Sequence, residues 1–198
     1  NGSLARLCGF QVKNSRLHLD LQYSDYKTLM YSNQHAAELA ANHARYLSRA
    51  LGISVIIETA DEQILIIRRS QNVGEFPGVY DIPGGHIDAP KHGAPDIFAS
   101  ILQEIEEELG ITPSVDPVLV GLIETRQTLK PELLFKLSTK FKASEIKVQA
   151  EHARDRFEYT DLYSADQTEL NTLLTGKTFS PSAYACLVMY SLNQEVYH

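Results

Sequence analysis

Glu104, Glu107 and Glu108 stand at i, i+3 and i+4, the spacing that gathers side chains onto one stripe of a helix, while Glu106 projects roughly opposite Glu104. Carboxylate oxygens are the hard ligands that Mg²⁺ prefers, and a diphosphate would complete its octahedron. Two terms oppose such a stripe. Like charges one turn apart repel by about 0.2–0.5 kcal/mol per exposed pair, and these acids occupy the last turn, at the negative end of the helix dipole. A helix built for stability alone would place Lys or Arg there. A divalent cation over the stripe removes the conflict, so the misplaced charge reads as a binding site. The other reading is a solvated acidic face ahead of Gly110, which ends the helix. Context favours the first: Gly84-Gly85, fed by the strand-like segment Val79-Tyr80-Asp81-Ile82, lets the backbone turn tightly and approach phosphate oxygens.

The elements that must position these groups follow from periodicity. Between Asp96 and Leu109, Ile97, Phe98, Ile101, Leu102, Ile105 and Leu109 fall within one arc at about 100° per residue, an apolar face for a sheet. The β-branched runs Ile53 to Ile57 and Ile64 to Ile67, joined by the polar Ala60-Asp61-Glu62, predict a hairpin at the core of that sheet. Further strands are expected at Val118 to Glu124, Leu133 to Phe141 and Arg156 to Tyr159, and a closing helix at Ser180-Pro181. Ahead of them, Arg16 to Tyr23 alternates as a half-buried strand, and His35 to Ala50 predicts one helix, capped by Asn33 and ended by Gly52. The expected architecture is α/β, a mixed β-sheet between helices, with a strand-helix extension over 1–50 and the main domain over 51–198.

Composition narrows the partners. The 198 residues carry a formal net charge of -7 with no clustered Lys or Arg, which argues against nucleic acid. No apolar run approaches the roughly 20 residues that span a bilayer, and no signal peptide opens the chain, so no membrane role is expected. Cys8 and Cys186 offer neither a disulfide framework nor paired zinc-ligand spacing, and a reducing, cytoplasmic compartment is the default. The start at Asn1 rather than Met points to a trimmed or engineered N-terminus with native residues missing ahead of it. No residue pattern indicates an oligomeric state.

The stretch Gln103-Glu104-Ile105-Glu106-Glu107-Glu108-Leu109-Gly110-Ile111 resembles the second half of the Nudix signature, G-x5-E-x7-R-E-U-x-E-E-x-G-U with U aliphatic. Gln103 stands where the family has Arg, and about four extra residues separate it from Gly85, within Ala89 to Ala94. The signature's first Glu falls on Pro95, with Asp96 and Asp88 as stand-ins. A glutamine offers only neutral hydrogen bonds where the Arg braces the loop electrostatically. The lengthened loop and the Gln resemble the UDP-glucose and UDP-galactose pyrophosphatase branch, as do Ile66 to Gln71, Val79 to His86, the N-terminal strands around Tyr26 and Ser180 to Ala183.

That resemblance implies a Nudix-type α/β/α sandwich and a hydrolase in which Mg²⁺, with Mn²⁺ able to substitute, is held by Glu104, Glu108 and Glu107 and grips the diphosphate of a nucleotide sugar. UMP and a sugar 1-phosphate are the implied products. Arg68 or Arg69 would fork onto the phosphates beside Gly84 and Gly85. Glu151 is the leading candidate for the general base, with Glu132, Glu124 and His152 as alternatives, and Tyr80 and Phe76 are candidates for stacking on a base. Rival readings are a Nudix hydrolase of ADP-ribose, NADH, a dinucleoside polyphosphate or coenzyme A, and a non-catalytic nucleotide-binding module.

Overall fold

Apolar residues on both faces force Gly52–Glu58 into the middle of a sheet. The computed structural model describes residues 2–196. Its elements run β1 (Ser3–Lys13), β2 (Arg16–Asp25), α1 (Tyr26–Gln34), α2 (Ala36–Asn42), β3 (Gly52–Glu58), β4 (Ile64–Arg69), β5 (Tyr80–Asp81) and β6 (Gly84–His86). Then come α3 (Ile97–Leu109), β7 (Val118–Glu124), β8 (Pro131–Ser138), α4 (Ala143–Ala150), β9 (Tyr159–Ala165), α5 (Gln167–Gly176) and α6 (Pro181–Val196).

The sheet is mixed, as expected: β3 runs parallel to β8, while β8–β7 and β4–β9 are antiparallel. Alternation along β3 divides the core into two layers. Ile53, Val55 and Ile57 face Ile101, Ile105 and Leu109 of α3 and Ile146 of α4, whereas Ile56 faces Leu170 of α5 and Ala183 and Leu187 of α6. This is the α/β/α sandwich.

The hairpin expected of β3 and β4 is corrected in its detail. The two strands pair at one position, Glu58 with Ile64, and then part. The chain from Tyr80 to His86 fills the gap, with β5 on β4, β6 on β3, and Val55 N–H donating to the Pro83 carbonyl at 2.9 Å. This wedge carries Gly84 and Gly85 into the sheet beside α3. Their depth is thus set by backbone pairing rather than by a surface loop.

The N-terminal helix also departs from the expectation. It begins at Tyr26, because the Asp25 side chain caps the Thr28 N–H at 2.8 Å, breaks at His35 and stops at Asn42. After a 3₁₀ turn at Ala44–Tyr46 the chain is tied to β1: Leu7 N–H donates to the Arg49 carbonyl at 3.0 Å and Leu51 N–H to that of Ala5 at 2.8 Å. Pairing across the chain overrides the local helical pattern. Ala5 N–H reaches Ile87 at 2.8 Å and Ala89 N–H reaches Ser3 at 3.0 Å, so β1 is stitched to the segment after the glycine pair.

Smaller differences have local causes. Arg156–Glu158 forms a 3₁₀ turn and the strand follows it at Tyr159, while β8 spans Pro131–Ser138 rather than reaching Phe141. Phe98 lies at the edge of the α3 arc, 47% exposed although its ring meets Phe135 edge-on. Helices α4 and α5 were not foreseen. Asp166 and Glu169 form a capping box at the start of α5, a legible signal, whereas α4 begins at Lys142, which is not a preferred cap. The C-terminal helix starts as expected, with Ala183 N–H donating to Ser180 Oγ at 3.2 Å. Among the described residues no helix is long and apolar enough to cross a membrane.

Because Ala5 and Leu7 belong to the core that holds α3, truncating Leu7, which is 1% exposed, should destabilise the whole domain. Leu7→Ala is expected to lower the unfolding free energy by about 2–5 kcal/mol in urea titration. An unchanged midpoint would mean that the β1–β2 hairpin is a dispensable appendage.

Candidate active site

Helix α3 is fixed at both ends before its acids are considered. The Asp96 side chain accepts from Ala99 N–H at 3.0 Å, and Gly110 closes the helix in the left-handed conformation at φ 67. Burial of Ile101, Ile105 and Leu109 then sets its rotation. That rotation carries Glu108 inward with them, to 1% exposure, and leaves Glu104 and Glu107 on the adjoining stripe, with Glu106 in solvent. The buried Glu108 carboxylate accepts from Gly84 N–H at 3.0 Å. Here Gly84 is sterically required by the backbone of β3, and the bare Gly85 lets the Glu104 carboxylate approach closely. A Cβ on Gly84 would lie 2.1 Å from the Ile53 carbonyl oxygen, and one on Gly85 would lie 2.2 Å from Glu104 Oε1.

A cleft of about 510 Å³ opens over these groups. At one side the charge is negative and under-compensated. Burial, then the charges of Glu107, Glu158, Asp155 and Asp88, push the Glu104 carboxyl up to about 7. Burial and Glu104 raise Glu108 well above the carboxylate range despite its bond from Gly84. Glu107 is held differently: Gln103 donates to it at 2.7 Å and Arg154 forms an ion pair with it. Gln103 thus supplies the neutral bond its chemistry allows, and the cationic partner comes from another segment.

The opposite wall is ion-paired and buried. Lys130 meets Glu75 at 3.2 Å and Glu132 at 3.5 Å, and His86 meets Glu75 at 2.9 Å. Burial alone would raise Glu75, but Lys130 and His86 hold it well below the usual carboxylate range. Burial would lower Lys130, and the carboxylates of Glu132 and Glu75 more than reverse that. Arg69 donates to the Glu75 carbonyl at 2.9 Å and pairs with Asp81 at 3.1 Å, so its guanidinium is fixed at the cleft wall.

The fold gathers into this cleft Glu104, Glu107, Arg69, Gly84, Gly85, Glu132 and Phe76 from the positions singled out in the sequence, with Glu108 directly behind the glycines. It does not gather the rest. Arg68 is exposed, with its Nε 3.5 Å from the Gly78 carbonyl, because successive residues of β4 point to opposite faces. Glu151 ends α4 away from the cleft, 65% exposed and paired with Arg156 at 3.4 Å. Glu124 pairs with Arg49, His152 is exposed, and Tyr80 packs between Tyr163 and Phe179. Of the stand-ins for the signature's first Glu, Asp88 lines the cleft while Asp96 is spent on the helix cap. Sequence reasoning missed Glu158, which lines the cleft half-buried with its carboxyl raised mainly by burial, and the Glu75–His86–Lys130 cluster. Charged residues flanking Pro131 at the head of an apolar strand were the available signal.

The donor chemistry suits a hard divalent cation, since surplus carboxylate charge gathers against a backbone turn. The acids do not form a closed cage, however. Among the described residues no group of three acidic, His or Cys side chains is placed to hold one ion, since Glu107 is turned to Arg154 and Glu108 to Gly84.

A NUDIX domain is matched over residues 48–168, more than half of the chain, which therefore belongs to that family. The chain is 30% identical over 185 residues to Nudix hydrolase 9 of Arabidopsis thaliana, covering 78% of this chain and 60% of that protein. It is 25% identical over 168 residues to the uridine diphosphate glucose pyrophosphatase NUDT22 of Homo sapiens, covering 74% and 55% respectively. It thus spans 60% or less of these two relatives. The NUDIX domain of Shewanella oneidensis NrtR, solved in complex with ADP ribose, superposes with a TM-score of 0.55 at 13% identity, covering 81% of this chain and 97% of that one. At that identity the likeness is one of fold.

A carboxyl whose folded pKa lies above its unfolded value stabilises fully below the unfolded value, and that contribution is lost as pH rises through the folded one. For Glu104 the window runs from 4.5 to about 7. In chelator, the melting temperature of the wild type should fall more across this window than that of Glu104→Gln. Parallel curves would show that Glu104 is not strained by its neighbours.

Proposed function

We propose that this chain is a Mg²⁺-dependent hydrolase that cleaves the diphosphate of a nucleotide sugar, UDP-glucose or UDP-galactose, to UMP and a sugar 1-phosphate. Residues 1–50 serve as an extension packed on the Nudix domain at 51–198. The observation that carries this reading is the seating of Glu104 and Glu108 against Gly84-Gly85, with a fixed Arg69 guanidinium in the same cleft. The choice of sugar nucleotide draws support from the likeness to the UDP-glucose pyrophosphatase and from the lengthened loop and Gln103.

Nudix hydrolases generally use divalent metal ions, and Glu104, Glu108 and Glu107 are the residues that would hold Mg²⁺ here. When bound, the ion supplies charge withdrawal at the phosphoryl oxygens and a water of lowered pKa. To hold the ion Glu107 would have to leave its pair with Arg154, whose guanidinium would then be free for the diphosphate. Arg69, held by Asp81 and the Glu75 carbonyl, offers an oriented contact that needs little reorganisation. Glu158 takes the proton-accepting role that the sequence suggested for Glu151, because it lies in the cleft and burial raises its affinity for a proton.

Incubation with Mg²⁺ and a panel of nucleoside diphosphate derivatives, with products separated by chromatography, tests the reading. UMP release from UDP-glucose is expected, and an inert panel would leave a nucleotide-binding module instead. Glu108→Gln should lower turnover by at least about tenfold. Equal turnover in that variant would remove Glu108 from the machinery.

A further inference from the structure

The cluster of Glu75, Lys130 and Glu132 is hard to explain by stability. All three side chains are less than a tenth exposed, and burying ions is often no better than packing apolar groups of the same volume. One atom in it is left over. Glu132 Oε1 accepts from Ser54 Oγ, but Glu132 Oε2 is buried without a hydrogen-bond partner, and its nearest cation, Lys130 Nζ, stands at 3.5 Å. A buried acceptor left unsatisfied costs about 1–3 kcal/mol. Gly52 lies across from it in the β3–β8 ladder, and a Cβ there would stand 3.0 Å from Oε2. The bare backbone of Gly52 thus lets the Glu132 carboxylate pack close without satisfying it.

We infer that Glu132 and Lys130 form a subsite for the hydroxyls of a neutral polyhydroxylated group, the sugar end of the substrate. This deepens the nucleotide-sugar reading and rests on it. A hydroxyl seated against both groups accepts from the ammonium and donates to Glu132 Oε2, meeting the one unmet acceptor. A phosphate is disfavoured there, because the two carboxylates outweigh the single ammonium and would repel it. A nucleobase is held by stacking on a planar face together with hydrogen bonds to its edge, and Glu75, Lys130 and Glu132 present no such face. The division of the cleft follows: diphosphate toward Glu104, Glu107 and Arg69, sugar toward Lys130 and Glu132.

The test measures binding without turnover, using the α,β-methylene analogue of UDP-glucose and the methyl ester of α,β-methylene UDP, which lacks the sugar. With Mg²⁺ present, calorimetry on the wild type should give at least about tenfold tighter binding of the sugar analogue, the scale of a hydrogen bond to a charged group. Glu132→Gln should remove that preference and leave the methyl ester within about twofold of its wild-type affinity. Equal wild-type affinities for the two ligands, or a preference that survives Glu132→Gln, would overturn the subsite. The wild-type comparison decides by itself if the variant does not fold. Hydrolysis of UDP-glucose is scored separately. An inert protein that still prefers the sugar analogue sinks the catalytic proposal alone, and an active one without the preference sinks the subsite alone.

Discussion

A buried carboxylate bonded to a glycine N–H holds this molecule's site together. Glu108 lies inside the apolar face of α3, where an acid has no place on packing grounds, and its carboxylate accepts a hydrogen bond there from the backbone N–H of Gly84. The bond fixes the distance between helix and turn, and the missing side chains at Gly84 and Gly85 let the two surfaces close on each other. Every other feature of the cleft is arranged around that contact. The wedge between β3 and β4 supplies the turn, and the core around Ile101 and Ile105 supplies the helix.

Two electrostatic regimes share the cleft. The acids of α3 raise one another's proton affinity because burial and like charge act in the same direction. On the facing wall, burial and pairing act in opposite directions and pairing prevails, so Glu75 and Lys130 remain ionised. One side is therefore poised to take up positive charge, while the other is already settled except at a single oxygen of Glu132.

Much of this was legible in the sequence, for reasons that differ by element. Helix α3 carries its own cap, period and stop signal, so its bounds and its acid stripe follow from local rules. The glycine pair was legible as a tight turn beside the acids, and at Gly84 the backbone of β3 leaves no space for a side chain. By contrast, the N-terminal helix was misread where backbone bonds to β1 hold Arg49 and Leu51, and the parting of β3 from β4 depends on a segment that arrives later in the chain. Glu158 was invisible as a site residue because an isolated charge acquires meaning only once distant segments meet, and Lys130 offered only its place beside Pro131 at the head of an apolar strand. Glu151 attracted attention by type, yet the end of α4 carries it to Arg156 instead.

The stretch between Asp88 and Asp96 is anchored independently at its two ends. Ala89 is tied to Ser3, and Asp96 is committed to the first turn of α3. Tyr23 O–H adds a bond to the Pro90 carbonyl at 2.6 Å beside the first anchor, and because lengthening the remaining connection adds little entropy penalty, residues can be gained or lost there without moving either the glycine turn or the acids. The interval a family motif prescribes between its first glycine and its glutamates thus records the length of a bypass. Counting along it misplaces residues whose positions in space are unchanged.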